Sequence, residues 1–367
     1  MAVLVTKAGL SFDLAALKKV AKVCVYLTVL PCLTEIIICT FLASIVLNWS
    51  GLSKVECYLF GTALGCVLGA VTPAVIVPAM ENLKERGYLE LQKNREMSNL
   101  VIAASSFDDI MAISCFMLIL GVLVESEGQS LLWTFFKGPL FVIAGIFIGM
   151  ILGKLLAGAV ARSKTFSVFL GLTFSFCFNQ LMIVLDTPAA GPLGCIVFGL
   201  VCKLQFEICE ERLGKVLDVL WNVLEPTMFC LIGAEVDLQN VGSSILLRAF
   251  ILLSISLILR TLVAFSVAKR STQFSNSESM FIAFSWLPKA TVQAAIGSTA
   301  FDRFSASENS AKLTPAKDIL TMAVLSIFIT APLGSVLMRS TASKLLEKNK
   351  CIEDIELKSS DGHSVGQ

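Results

Sequence analysis

Six ionisable residues fall inside long apolar runs of this sequence: Glu35, Asp108, Asp109, Glu225, Arg260 and Lys289. A charge at mid-depth in hydrocarbon is costly, so each is a candidate functional group. Asp108 and Asp109 stand out as adjacent carboxylates near the centre of one run. Neighbouring helical residues point about 100° apart. One can therefore face an ion cavity while the other pairs with a basic residue. A carboxylate in that setting takes a proton or binds a hard cation through its oxygens. Ser105 and Ser106 stand one turn before the pair, so a hydroxyl there can add an oxygen ligand. Val71 and Thr72 can contribute a main-chain carbonyl and a hydroxyl. Arg260 and Glu35 lie at matching depths of two corresponding helices, and an ion pair between them is expected, as a helix lock or as part of the chemistry. Asn179 and Gln180 read better as helix–helix hydrogen-bonding groups. With all six charges present, four are negative and two positive. That deficit suits a site always holding a cation or protons.

The elements that must position these groups are membrane helices. The chain of 367 residues is 56% hydrophobic and 16% charged, against about 25% charged for a soluble domain. Its mean hydropathy is +0.80. The net charge of +1 gives no sign of a nucleic-acid partner. The twelve cysteines show no paired spacing and read as apolar packing residues. His363 is the only histidine and lies in the polar tail, which excludes histidine-based catalysis and histidine metal sites. Neither an enzyme nor a cofactor is expected.

Apolar run length draws ten spans, at 21–47, 57–80, 98–124, 131–161, 166–185, 189–206, 216–236, 245–270, 278–300 and 318–338. Met1–Leu10 is too short to span and reads as the remnant of a helix. Glu207–Lys215 is charged and reads as an interfacial helix. Eighteen Lys and Arg fall in loops and ends on one side, among them Lys84, Arg86, Arg162, Lys203, Lys269 and Arg339. Only Lys54, Arg303, Lys312 and Lys317 fall on the other. This bias puts both termini in the cytoplasm.

Two spans carry a proline at mid-depth, Pro73 in 57–80 and Pro288 in 278–300. A proline removes an N–H and frees a carbonyl. In lipid such a break is tolerated only inside protein or beside a water-filled cavity. Each broken span is the middle of a triplet, and the two triplets begin on opposite sides. Inverted repeats with paired broken helices near the midplane are a transporter signature. The expected division is a remnant and linker at 1–20, a first inverted repeat with the ion site at 21–124, connecting and dimer-side helices at 131–236, a second repeat at 245–338 and a disordered polar tail at 339–367. The fold class is an all-α polytopic membrane protein with two crossed broken helices.

The runs LGAVTPAVIVPAM (Leu68–Met80), SSFDDIMAI (Ser105–Ile113), LIGAEV (Leu231–Val236) and FSWLPKATVQAAIGS (Phe284–Ser298) resemble the animal NHA-type sodium/proton antiporters of the cation/proton antiporter 2 group. The resemblance covers about Ala2 to Lys348. It implies a homodimeric exchanger in the lipid bilayer that moves Na+ or Li+ against H+ by elevator-like alternating access, without ATP. It implies Asp109 as the main ion- and proton-carrying group, with Asp108 beside it. It adds Val71 and Ser105 to the Na+ shell and assigns Arg260, Glu35 and Lys289 as charge partners. Departures from the family pattern are an absence of its first helices, which help build the dimer interface, Glu225 in place of an uncharged residue, and a longer loop Asn48–Glu56. The alternative expectation is a non-transporting homologue or partner of a full-length antiporter. A channel fits less well, because crossed breaks suit a gated single site. The default location is the plasma membrane, with an organellar membrane as the other option.

Overall fold

The structure, a computed structural model, describes residues 3, 6, 9–10, 14–89, 91–124, 140, 143–155, 164–185, 190–205, 207–234, 243–305 and 310–346. All regular structure among the described residues is helical. The helices are α1 (Leu14–Val46), α2 (Lys54–Gly69), α3 (Pro73–Glu85), α4 (Gln92–Val124), α5 (Ile143–Leu155), α6 (Lys164–Val184), α7 (Ala190–Gln205) and α8 (Glu207–Ala234). They continue with α9 (Ser243–Arg270), α10 (Asn276–Ser285), α11 (Thr291–Ile296), α12 (Thr299–Ser305) and α13 (Ser310–Leu345).

Among the described residues, five stretches are long and apolar enough to cross a membrane: Ala21–Val46, Lys54–Glu85, Gln92–Leu123, Leu246–Arg270 and Ala311–Leu345. The second is the most enclosed, with 89% of its apolar window buried against 33% for the first and fourth. The α2–α3 unit therefore runs through the middle of the bundle, while α1 and α9 turn one face outward. On α1, Leu27, Cys32, Glu35 and Cys39 are buried, and Tyr26, Ile37, Phe41 and Ile45 are exposed. A helix apolar on both faces needs a lipid surround for its outer one. Glycine lets α2 sit close to α1. A Cβ at Gly61 would lie 2.8 Å from the Thr40 carbonyl oxygen, and one at Gly65 would lie 2.7 Å from Ile36 Cα. Gly61, Gly65 and Gly69 thus form a small-residue stripe for close backbone approach.

Both broken spans open with the same device. Ser53 caps α2 and Glu56 reaches back to it; Ser275 and Glu278 do the same for α10. Each is a reciprocal capping box that satisfies two free N–H groups. The breaks fall at Ala70–Thr72 and Trp286–Ala290, as the two mid-span prolines predict. The halves then cross. One core cluster contains the α2 side chains Phe60, Leu64, Val67 and Leu68 with Val292, Ile296, Ala300 and Phe304. Another contains Val71, Ile76, Val77 and Leu83 with Phe281, Ile282 and Trp286. Each of these clusters joins the first half of one broken helix with the second half of the other.

Several expectations change. Glu207–Lys215 is not a separate interfacial helix but the start of α8, because Leu213, Leu217 and Trp221 form one buried stripe across the junction. The second broken span ends in two short helices, α11 and α12, and extends past residue 300 to Ser305. Its turn at Gly297 packs on Ala323 of α13, where a Cβ would lie 2.7 Å away. Helix α13 continues beyond Arg339 to Leu345, into the segment expected to be a disordered tail, since Met338, Ala342 and Leu346 keep one buried face. The rest of that tail, from residue 347, lies outside the described residues, as do residues 131–139 of the fourth expected span and the Glu225 side chain.

Candidate functional site

The two prolines do different work. Pro73 is the first residue of α3, with Thr72 extended before it, where a missing N–H costs nothing because first-turn donors have no helical partner. Pro288 lies within the extended stretch between α10 and α11, and its carbonyl accepts the Thr72 N–H at 3.1 Å. The crossing is closed by side chains as well. The Thr72 and Thr291 hydroxyls are 2.6 Å apart, and the Thr291 N–H donates to Thr72 Oγ1 at 3.2 Å. The Lys289 N–H donates to Thr330 Oγ1 of α13 at 3.0 Å. On that helix Gly334 packs on the ring of Pro288.

Helix α2 stops in the protein interior, so its last four carbonyls need donors from elsewhere. All four find them on the second repeat. Gln293 Nε2 donates to the Val67 and Ala70 carbonyls at 2.8 and 3.0 Å. Lys289 Nζ donates to the Leu68 carbonyl, and Arg260 Nη1 to that of Gly69. Two cations thus sit at the negative end of a buried helix dipole.

The same cations hold the carboxylates. Arg260 Nη1 and Lys289 Nζ both donate to Glu35 Oε2, the latter at 2.9 Å. Arg260 Nη2 donates to Asp108 Oδ2 at 2.8 Å, and the Val71 N–H reaches the same oxygen at 2.9 Å. Glu35, Asp108, Arg260 and Lys289 are fully buried and Asp109 is 3% exposed. Neither oxygen of Asp109 accepts a hydrogen bond from a described residue. Within the aspartate pair, Asp108 is held by Arg260 and backbone, and Asp109 is left without such a partner. The expected Arg260–Glu35 pair forms, and it is a triad with Lys289. Within this cluster three carboxylates face two cations, so the excess is one negative charge.

The hydroxyls predicted as ligands have other engagements. Ser105 and Ser106 Oγ each donate to the Ile102 carbonyl at 3.0 Å, within their own helix. Thr72 is occupied with Thr291. Asn179 faces Gly191 of α7, which would crowd it if it carried a Cβ, and Gln180 is exposed. A cavity of about 370 Å3 lies between α3 and α13, lined by Ala74, Val75, Pro78, Ile327, Ala331 and Arg339 among others. The charged residues of the crossing do not line it. Gln293, Thr291 and Thr330 escaped the sequence reading. Gln293 follows Lys289 by four residues, and a polar amide at that spacing beside a buried lysine was the available signal.

Residues 2–343 match the family described as "Sodium/hydrogen exchanger, transmembrane". The chain is 34% identical over 358 residues to sodium/hydrogen exchanger 9B2 of Mus musculus, covering 95% of this chain and 62% of that protein. It is 30% identical over 354 residues to sodium/hydrogen exchanger 9B1 of Homo sapiens, covering 95% and 66%. The chain thus spans about three-fifths of the length of the curated relatives it matches. In three dimensions it is similar to the sodium proton antiporter MjNhaP1 of Methanocaldococcus jannaschii, with a TM-score of 0.67, 20% identity and coverage of 94% and 82% of the two chains.

Proposed function

The chain belongs to the transmembrane sodium/hydrogen exchanger family, and from that premise we propose that it is a secondary antiporter exchanging Na+ or Li+ for H+ at Asp109. The observation that carries this reading is the contrast within the aspartate pair: Asp108 is held by Arg260 and the Val71 N–H, and Asp109 has no partner among the described residues. A buried carboxylate without a fixed cation is stabilised by a bound cation or by a proton. The cluster's excess of one negative charge is matched by either one, so the two compete for the same oxygens. Competition at one site that opens alternately to the two sides is sufficient for coupled exchange.

In this mechanism Asp108 shapes the site and Asp109 carries the cargo. Arg260 and Lys289 neutralise Glu35, Asp108 and the α2 end, so the cargo meets one free charge. Val71, Ser105 and Thr72 stand close in sequence to these groups and supply oxygen ligands as the crossing rearranges. A homodimer in the plasma membrane with a cytoplasmic C-terminus belongs to the same reading, supported by the resemblance and by the charge bias of the loops.

The test is proteoliposome exchange. A Na+ or Li+ gradient should drive proton flux through the parent chain. In Asp109→Asn that flux should drop to the level of empty vesicles. Flux in Asp109→Asn equal to that of the parent would sink the assignment.

A further inference from the structure

We infer that Gln293 is a positioning residue for the ion site: it grips the Ala70–Val71 peptide from the side opposite Asp108 and so sets how that peptide meets the cargo. The inference rests on the antiporter reading above and deepens it. In a trans peptide the C=O and N–H point in opposite directions. The carbonyl of this peptide, that of Ala70, accepts from Gln293 Nε2 at 3.0 Å. Its N–H, that of Val71, donates to Asp108 Oδ2 at 2.9 Å. One peptide unit is therefore held at both edges, by an amide of the second repeat and by a carboxylate of the first. The residues at the two ends of this link are 223 and 37 positions away in sequence.

The amide orientation follows from its surroundings. Gln293 is 1% exposed, and its nitrogen serves two carbonyls at once, those of Val67 and Ala70. Rotating the amide would put its oxygen against both of them. Gln293 Oε1 has no hydrogen-bond partner among the described residues, so the group is retained for what its nitrogen does. The charged donors beside it serve other carbonyls. Lys289 is committed to the Leu68 carbonyl and Glu35, and Arg260 to the Gly69 carbonyl, Glu35 and Asp108. Without Gln293 the Ala70–Val71 plane is held from the Asp108 side alone and is free to rotate about that bond. Rotation draws the Val71 N–H off Asp108 and changes the set of dipoles presented to a cation beside Asp109. Proton transfer needs no coordination shell, so the effect falls on cation affinity.

The experiment measures initial exchange rates in proteoliposomes of the full chain against Na+ and Li+ concentration, for the parent and Gln293→Leu. Gln293→Leu keeps the bulk and the neutral charge and removes the donor. The expected result for Gln293→Leu is a half-saturating cation concentration raised about tenfold, the worth of one such hydrogen bond. Its maximal rate should stay within about twofold of the parent. An unchanged half-saturating concentration, or a fall in maximal rate alone, overturns the inference. If Gln293→Leu is not recovered folded, Gln293→Asn takes its place, read by thermal stabilisation on adding Na+ or Li+. Stabilisation equal to the parent's overturns the inference. A parent that shows neither flux nor cation-dependent stabilisation overturns the antiporter reading itself and the inference with it. An active parent with an indifferent Gln293→Leu overturns the inference alone.

Discussion

The two broken helices start alike and end differently. Both begin on a Ser–Glu capping box and both halt inside the protein near a proline. The first halt, after Gly69, has its four closing carbonyls held by Gln293, Lys289 and Arg260, all from the other repeat. The second halt, after Ser285, winds up locally: Trp286 and Leu287 N–H return to the Ala283 and Phe284 carbonyls at 3.2 Å each, and Ser285 Oγ donates to the Phe281 carbonyl. The first break therefore takes its shape from the charge cluster, while the second has a shape of its own and lends the first its donors. A change of charge at the aspartates is felt by the first break directly, through the Val71 N–H and Arg260. The second break feels it through the side chains it sends across.

The comparison is most easily broken at Arg260. Arg260→Met strips a donor from Glu35, Asp108 and the Gly69 carbonyl together. Removing one partner of a buried ion pair costs about 3–5 kcal/mol, so the variant should show a large fall in thermal midpoint in detergent or fail to accumulate. The matched change at the second break, Ser285→Ala, removes only a hydroxyl back-bonded within its own helix and should cost under about 1 kcal/mol. Equal losses would show that the two ends are built alike after all.

A smaller effect is expected at the support of the second break. A Cβ on Gly334 would lie 2.4 Å from Pro288 Cγ, so Gly334→Ala forces α13 or the Pro288 stretch to move. Overpacking of this kind costs about 1–3 kcal/mol. Because Lys289 is bonded to Thr330 on the same helix, exchange should slow as well as stability fall. Unchanged stability and rate in Gly334→Ala would remove the claim that α13 braces this break. The smallest effect sharpens the similarity: Ser53→Ala and Ser275→Ala each lose a cap worth about 1 kcal/mol, measured as near-equal shifts in thermal midpoint.

Much of the frame is legible in the sequence. Run length marked the long helices, because hydrocarbon selects for about 20 apolar residues. Pro73 and Pro288 marked the breaks, because proline lacks a donor wherever it falls. The boundaries that were misplaced share one cause. Lys215 and Arg339 read as ends of apolar runs, yet each lies in a helix that continues on a buried stripe such as Leu213–Leu217–Trp221. Hydropathy averaged over all faces hides a single buried face. Gln293 shows a similar limit: its spacing from Lys289 is written in the sequence, and the carbonyls it faces are not.

By itself the sequence determined which charges lie at mid-depth and where two helices must break, since burial cost and backbone chemistry belong to residue types. It also determined the family, through motifs along most of its length. Only the tertiary structure decided that Asp108 is taken and Asp109 is left, and that one helix end depends on the other repeat. Those outcomes turn on how α1, α4 and α9 are rotated about their axes and on contacts between residues as far apart as Glu35 and Lys289. Adjacent aspartates diverge by about 100° on a helix, and no run of residue types states which of the two directions meets a guanidinium.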